Sequence, residues 1–259
     1  MIQSSHFLLT PPDQLDQAQT YGLPLAHMAF QISSDGHLHQ GALPPGLKGG
    51  LMLVGSQGGG GDPRTTVQEL TAACLNRNFG GIILDLEEAP SPYWTRVIRG
   101  LEEGLTRQGR TLLLPEAYGR YSNRALLYFS SALSGGSLRR RLEEAADAYG
   151  PDRLILSLHR ACEDFFLPAR TGAGRPLSQQ DLQERIHRMS PNIFFSQDLC
   201  AHYFTYMSRE TGAHFILFDD EASLKKKRAL AREIGIRRFF LLFPEVEDCL
   251  PALLPEAAV

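Results

Sequence analysis

Eight short apolar runs punctuate the chain, at residues 6–10 (HFLLT), 26–32 (AHMAFQI), 51–55 (LMLVG), 81–86 (GIILDL), 111–115 (TLLLP), 125–129 (ALLYF), 153–158 (RLILSL) and 238–242 (RFFLL). Most are unbroken rather than alternating. Strands buried on both faces read this way, as in a parallel sheet covered by helices. The segments between them follow a helical period: Trp94, Val97, Ile98, Leu101 and Leu105 recur on one face, and Gly109 follows as a stop. Residues 137–148 and 222–234 are amphipathic in the same sense. Residues 66–69 (TVQE) have the form of a capping box, with the Thr66 hydroxyl on a backbone N–H and Glu69 reaching back. Strand alternating with helix predicts parallel βα units.

One stretch breaks this rhythm. From Pro168 to Gly212 a Gly- and Pro-rich loop leads into a helix-like run and two aromatic runs, NIFF (192–195) and HYFTYM (202–207), with HFILF (214–218) after them. The pattern predicts a small α+β insertion over 169–218, between the seventh strand and its helix.

At 259 residues the chain has the length of one eight-stranded α/β barrel. The expectation is therefore a single (β/α)8 TIM barrel domain over 1–259, with the insertion inside it. Composition is that of an ordinary globular protein, 43% hydrophobic and 21% charged with a net charge of −3. That balance gives no reason to expect nucleic acid as a partner. No apolar run reaches the roughly 20 residues of a membrane span, so no membrane association is expected. The four cysteines are scattered without metal-ligand spacing. No metal or other cofactor is expected. The first residues show no basic-then-apolar leader, so a cytoplasmic or spore-associated location is expected. The oligomeric state is left open.

The most informative segment is FGGIILDLEEAP, residues 79–90. Asp85 and Glu87 are two apart at the end of a strand, so their side chains share a face. In a barrel, that end is where active sites are built. Two carboxylates at close range repel when both are ionised, which raises one pKa and leaves a protonated acid beside a charged partner. Such a pair suits cleavage of a glycosidic bond. The plain alternative is two strand-end carboxylates that cap the next helix or bind Lys or Arg.

The segment resembles the DxxDxDxE signature of glycoside hydrolase family 18. On that pattern Asp85 matches the last aspartate and Glu87 the catalytic glutamate, while Gly80, Ile83 and Leu86 replace the first aspartate, the second aspartate and the tryptophan. VGSQGG (54–59) is similar to the SxGG motif, with Ser56, Gly58 and Gly59 matching. AHMAFQISSDGHL (26–38) is similar to the family's second strand and its turn. DFFLP (164–168) and HFILFDDEAS (214–223) resemble segments of the bacterial subgroup that holds the spore-cortex peptidoglycan hydrolases, and GIRRFFLL (235–242) its closing strand.

The resemblance implies a glycosidase of N-acetylglucosamine-containing glycans, of chitin or peptidoglycan type. Cleavage would be substrate-assisted and retaining. Glu87 would donate a proton to the glycosidic oxygen, and the substrate's own acetamido oxygen would attack. Asp85 would orient the acetamido group and stabilise the oxazolinium cation. Anchored on SGG (134–136), the family's sixth-strand tyrosine falls at Phe129 and its acidic neighbour at Ser130, while two tryptophans fall at Leu242 and Leu217. Tyr118, Tyr121 and Tyr128 stand near as substitutes. Further candidates for substrate contact are Phe30, Ser56, Glu116, Tyr118, Phe129, His159 and Asp220. Against them stand core packing for the phenylalanines, a structural hydrogen bond for His159, and for Asp220 an acid at the start of a helix whose dipole it complements. The alternative function is a catalytically impaired barrel that binds glycan or another partner in the old cleft.

Overall fold

The computed structural model describes residues 5–167 and 174–254. Pro168, the end of the DFFLP motif, and residues 169–173 of the expected insertion lie outside the described residues. The strands are β1 (His6–Thr10), β2 (Leu25–Ile32), β3 (Leu38–Gln40), β4 (Leu51–Ser56), β5 (Gly81–Asp85), β6 (Thr111–Pro115), β7 (Leu126–Ser130), β8 (Leu154–Leu158), β9 (Cys162–Phe166), β10 (Arg175–Pro176), β11 (Phe194–Ser196), β12 (Ala201–Ser208), β13 (Gly212–Phe218) and β14 (Arg238–Leu242). The main helices are α1 (Leu15–Gln19), α2 (Pro63–Asn76), α3 (Pro92–Arg107), α4 (Leu138–Tyr149), α5 (Gln179–Met189) and α6 (Glu221–Glu233).

Eight parallel strands form a closed ring in the order β1, β14, β8, β7, β6, β5, β4, β2, and β1 pairs again with β2. The chain is a (β/α)8 barrel. Every expected strand is present, to within a residue at either end. β3 adds an antiparallel edge to β2. The crossover from β6 to β7 is reduced to a 3-10 segment, Glu116–Tyr121, where the alternation predicts a helix. No described helix is long and apolar enough to cross a membrane.

By contacts the chain divides into two compact units. The first takes in Met1–Phe129, Tyr149–Ser157 and Ile236–Pro244. Its barrel interior is filled by alternate residues of successive strands, including Phe7, Ala26, Leu53, Ile83, Leu113, Ile155 and Phe240. Outside the ring, α3 buries Trp94, Val97, Ile98, Leu101 and Leu105, the stripe its period predicts. Gly109 has φ 65° just past its end, a conformation glycine adopts at no steric cost. The capping box at 66–69 is not formed. α2 is capped four residues earlier, with Asp62 accepting from the Arg64 N–H. Thr66 lies buried, donating to the Gly36 carbonyl, and Glu69 accepts from the Leu38 N–H.

The second unit takes in Ser130–Ala148, Leu158–Gly235 and Glu245–Val259. It holds α4, α6 and a five-stranded sheet in the order β10, β9, β13, β12, β11, with the described pairings antiparallel. This sheet begins at Cys162, ahead of the Gly- and Pro-rich loop. Its polar centre is Asp164, 4% exposed, which accepts from Arg185 at 2.5 Å and lies 2.8 Å from His214 Nδ1. A second buried pair joins Asp219 to Lys227 at 2.6 Å, with side-chain exposures of 0% and 1%. Asp219 also accepts from the Ala161 N–H and the Ser223 hydroxyl.

Removing one member of a buried pair strands the other charge. Asp219→Ala is expected to cost about 3–5 kcal/mol, read as a drop in urea-unfolding free energy. Asp219→Leu with Lys227→Met should recover most of this loss, leaving a deficit for the Ala161 N–H. A single substitution costing under about 1 kcal/mol would refute the assignment of a strong pair.

Candidate active site at the barrel mouth

The register of the ring decides what meets at its carboxyl end. Leu53 pairs with Ile83 and Gly55 with Asp85, so Asp85 continues the inward row begun by Ile83. Ile83 pairs with Leu113, and Pro115 with Tyr128. Tyr128 therefore occupies the same inward row two strands along. Its hydroxyl lies 2.9 Å from Asp85 Oδ1 and 3.0 Å from the Leu84 carbonyl oxygen. Burial and the Asp85 charge push the Tyr128 pKa well above the ordinary tyrosine value. The phenol is a fixed donor and both partners are acceptors.

On the other side of Asp85, β2 carries a bulge between Met28 and Phe30. The extra residue flips the strand's alternation. Gln31, exposed, pairs with Gly55 and so joins the row. Gly55 has no side chain, which leaves space between Gln31 and Asp85. Phe30 is 5% exposed and packs edge-on against Phe79, outside the interior cluster.

The segment after β5 is tied down by its neighbours. Glu88 Oε1 accepts from the Ser56 hydroxyl at 2.8 Å and from the Trp94 indole at 2.6 Å. The Glu88 carbonyl accepts from the Tyr118 hydroxyl at 2.8 Å. Tyr118 is buried, and desolvation pushes its pKa up to about 12. A Cβ on Gly59 would sit 2.9 Å from the Trp94 indole nitrogen, so glycine there allows the loop after β4 to cover that ring. Between buried Leu86 and anchored Glu88, Glu87 is exposed and has no hydrogen bond or ion pair among the described residues.

The remaining sequence candidates fall in several places. Ser56 is half-buried and engaged with Glu88. Glu116 opens the 3-10 segment after β6. Phe129, at the position anchored on SGG, is 7% exposed and off the inward row by one residue. The register puts Tyr128, and not Phe129, beside Asp85. In the second unit, His159 Nδ1 lies 2.8 Å from Glu245 Oε2, which also accepts from the Arg160 N–H. Asp220 caps α6: its side chain accepts from the Ser223 N–H, and the Ser223 hydroxyl accepts in return from the Asp220 N–H. Its other oxygen lies 3.3 Å from His202. Three residues escape a reading of the sequence alone. Glu88 and Trp94 are joined by a contact with no sequence signal, and Gln31 depends on a bulge. Among the described residues no group of three or more His, Cys, Asp or Glu side chains is arranged to hold a metal ion.

The same arrangement of strands occurs in solved structures. The spore cortex-lytic enzyme SleL of Bacillus megaterium QM B1551 is 17% identical, with a TM-score of 0.68 over 92% of this chain and 70% of that one. A chitinase from Chromobacterium violaceum ATCC 12472 is 16% identical, with a TM-score of 0.71 over 95% and 97%. A family GH18 chitinase of Cycas revoluta, solved with (GlcNAc)3, is 14% identical, with a TM-score of 0.66 over 96% and 98%. At these identities the likeness establishes the fold: the chain has the barrel of GH18 chitinases and spore cortex-lytic enzymes. No protein-family model and no curated protein matches the sequence.

The hydrogen bond that His159 donates to Glu245 raises the His159 pKa above its ordinary value of 6.5. A raised histidine pKa contributes stability that is fully present below the unfolded value and is lost as pH rises through the folded one. Glu245→Gln is expected to lower the His159 midpoint seen by NMR. The stability gap between wild type and variant should narrow as pH rises from about 5.5 to 8. A gap that widens over that range would contradict the pairing.

Proposed function

We propose that the chain is a glycoside hydrolase of N-acetylglucosamine-containing glycans, acting by substrate-assisted retaining cleavage. The observation that carries this reading is the Tyr128 hydroxyl set on Asp85 at the barrel mouth, with glycine beside it. Glu87 donates its proton to the glycosidic oxygen. The substrate's acetamido oxygen attacks the anomeric carbon as the glycosidic bond breaks, giving an oxazolinium that water opens with net retention, the water's proton returning to the Glu87 carboxylate. The Asp85 carboxylate accepts from the acetamido N–H and opposes the developing positive charge. Tyr128 holds the Asp85 carboxylate that in turn holds the acetamido group; the sequence alignment offers a phenylalanine at that place, with Tyr128 among three nearby substitutes. The glycan-bound chitinase of like fold supports an amino-sugar ligand.

Glu87 rather than Glu88 is the acid in this scheme. Glu88 is occupied by Ser56 and Trp94 and cannot turn to a ligand without leaving the indole N–H unpaired.

A second reading is favoured by two apolar residues. Ile83 stands directly below Asp85 in the inward row, and Leu242 packs against the same interior. A barrel so lined can hold glycan without cleaving it.

A fluorogenic chitotriose substrate separates the two. Wild type is expected to cleave it, and Glu87→Gln to abolish cleavage. Tyr128→Phe should lower kcat about 10²–10³-fold with a smaller change in KM. Glu88→Gln should lower thermal stability more than kcat. Equal residual signal from wild type and Glu87→Gln, with chitotriose binding intact, would select the binding protein instead.

A further inference from the structure

The inward row at the barrel mouth has one gap. Gly55 sits in it between Gln31 on β2 and Asp85 on β5, each paired with it in register. Neither backbone nor packing calls for glycine there. Gly55 is not one of the glycines with positive φ, so its backbone suits any residue. A Cβ added to it would come no closer than 4.0 Å to the fold beyond its chain neighbours, at the Phe30 carbonyl oxygen. Other glycines of the barrel unit differ. On Gly81 the added carbon would collide with the Thr111 backbone, and on Gly59 it would stand 2.9 Å from the Trp94 indole nitrogen. Protein interiors are packed to the density of organic crystals, so the missing side chain at Gly55 leaves a notch at the mouth.

Gln31 flanks this notch on one side as Asp85 does on the other. Its strand is held on both edges at that height. β4 pairs with it through Gly55, and β3, which takes over where β1 ends at Thr10, pairs with it through His39. The backbone under the Gln31 amide is thereby fixed. The amide itself is exposed and has no hydrogen bond among the described residues. His39, opposite it on β3, is turned to Ser33, with Nε2 3.2 Å from the hydroxyl oxygen. Two strand spacings separate the backbones of Gln31 and Asp85, roughly 9–10 Å. That span takes one sugar ring with hydrogen bonds to the groups on either side.

We propose that Gln31 is a substrate-binding residue: its amide holds a ring hydroxyl of the sugar whose acetamido group lies on Asp85, and the edge of that sugar fills the notch over Gly55. The proposal rests on the hydrolase reading above, which puts the amino sugar at Asp85. A primary amide donates and accepts at once, as a sugar hydroxyl does, so the pairing leaves neither group unsatisfied. The contact is neutral and brings no second charge to oppose or share the pull of Asp85. It depends on the bulge between Met28 and Phe30, because without that extra residue Gln31 would face away from the axis.

The test compares Gln31→Ala, Gly55→Ala and a control, Gln40→Ala. Gln40 is exposed on the same hairpin but pairs with Phe30, so it lies on the opposite face. Chitotriose binding is measured by calorimetry on protein that also carries Glu87→Gln, cleavage of the fluorogenic chitotriose on protein that does not, and melting temperature on all. Gln31→Ala is expected to weaken binding and raise KM about three- to tenfold, the loss of one neutral hydrogen bond, with kcat changed less. Gly55→Ala should weaken binding by at least as much while Tm stays level or rises, because alanine in an unstrained conformation lowers the entropy of the unfolded chain. Gln40→Ala should stay within roughly twofold of the parent.

Parent-like binding and KM in both Gln31→Ala and Gly55→Ala, with cleavage still abolished by Glu87→Gln, overturn the notch as a sugar site and leave the hydrolase reading standing. A loss at Gln40→Ala equal to that at Gln31→Ala, or a melting temperature that falls in step with binding, assigns the effect to the fold of the hairpin and also overturns the proposal. Binding that weakens as expected in a protein that cleaves nothing supports the contact and overturns the hydrolase. A parent that neither binds nor cleaves chitotriose overturns both.

Discussion

Closure of the ring is the constraint from which the rest follows. Once β1 pairs with both β14 and β2, each barrel strand has a neighbour on either side and its side chains must alternate between a filled interior and the outside. The interior is small, so it takes Phe7, Leu53, Ile83 and Phe240 and little else at mid-height. Only at the carboxyl end can the inward row turn polar. Asp85 and Tyr128 stand there because they lie two residues beyond Ile83 and Leu126. The bulge in β2 is the exception that adds Gln31 to them.

A ring of this kind fixes strand ends but leaves the segments after them free unless something holds them. After β5 that task falls to Glu88. Its carboxylate accepts from a hydroxyl and an indole, and its carbonyl accepts from a buried phenol. These bonds sit against Trp94, which is 0% exposed, where bonds to a charged acceptor are stronger than in water. The backbone on either side of Glu87 is thereby held while the Glu87 side chain is not. Under the hydrolase reading, a proton donor at Glu87 benefits from that combination, because its backbone is positioned and its carboxyl can still reach a ligand.

Much of this was legible in the sequence. Unbroken apolar runs located all eight barrel strands, because a strand buried on both faces has no alternation to misread. The stripe from Trp94 to Leu105 located α3 for the same reason, with Gly109 marking its end. The failures share one cause, which is that contact across the fold outweighs local pattern. TVQE satisfies a capping rule, yet α2 begins at Pro63 because Asp62 offers the nearer cap and Thr66 is drawn inward to Gly36. The alignment on SGG missed the inward row by one residue. In a strand a single step exchanges the two faces, so the alignment pointed to Phe129 and left Tyr128 as one of three nearby substitutes. The buried pairs Asp164–His214 and Asp219–Lys227 join residues that local spacing cannot connect.

The replacement of an aspartate by Ile83 changes the proton economy of the mouth. In the signature that this segment resembles, a second aspartate stands two residues before the last and so on the same face. Here the position below is hydrocarbon. The hydrogen-bonding partner of the Asp85 carboxylate is Tyr128, whose phenol is held protonated by burial and by that same carboxylate. Asp85 thus has no acid beneath it with which to exchange a proton. Positive charge that balances it in a reaction has to come from the ligand side, which is where an oxazolinium would form. Under the hydrolase reading, the electrostatic pull of that carboxylate on the cation is then undivided.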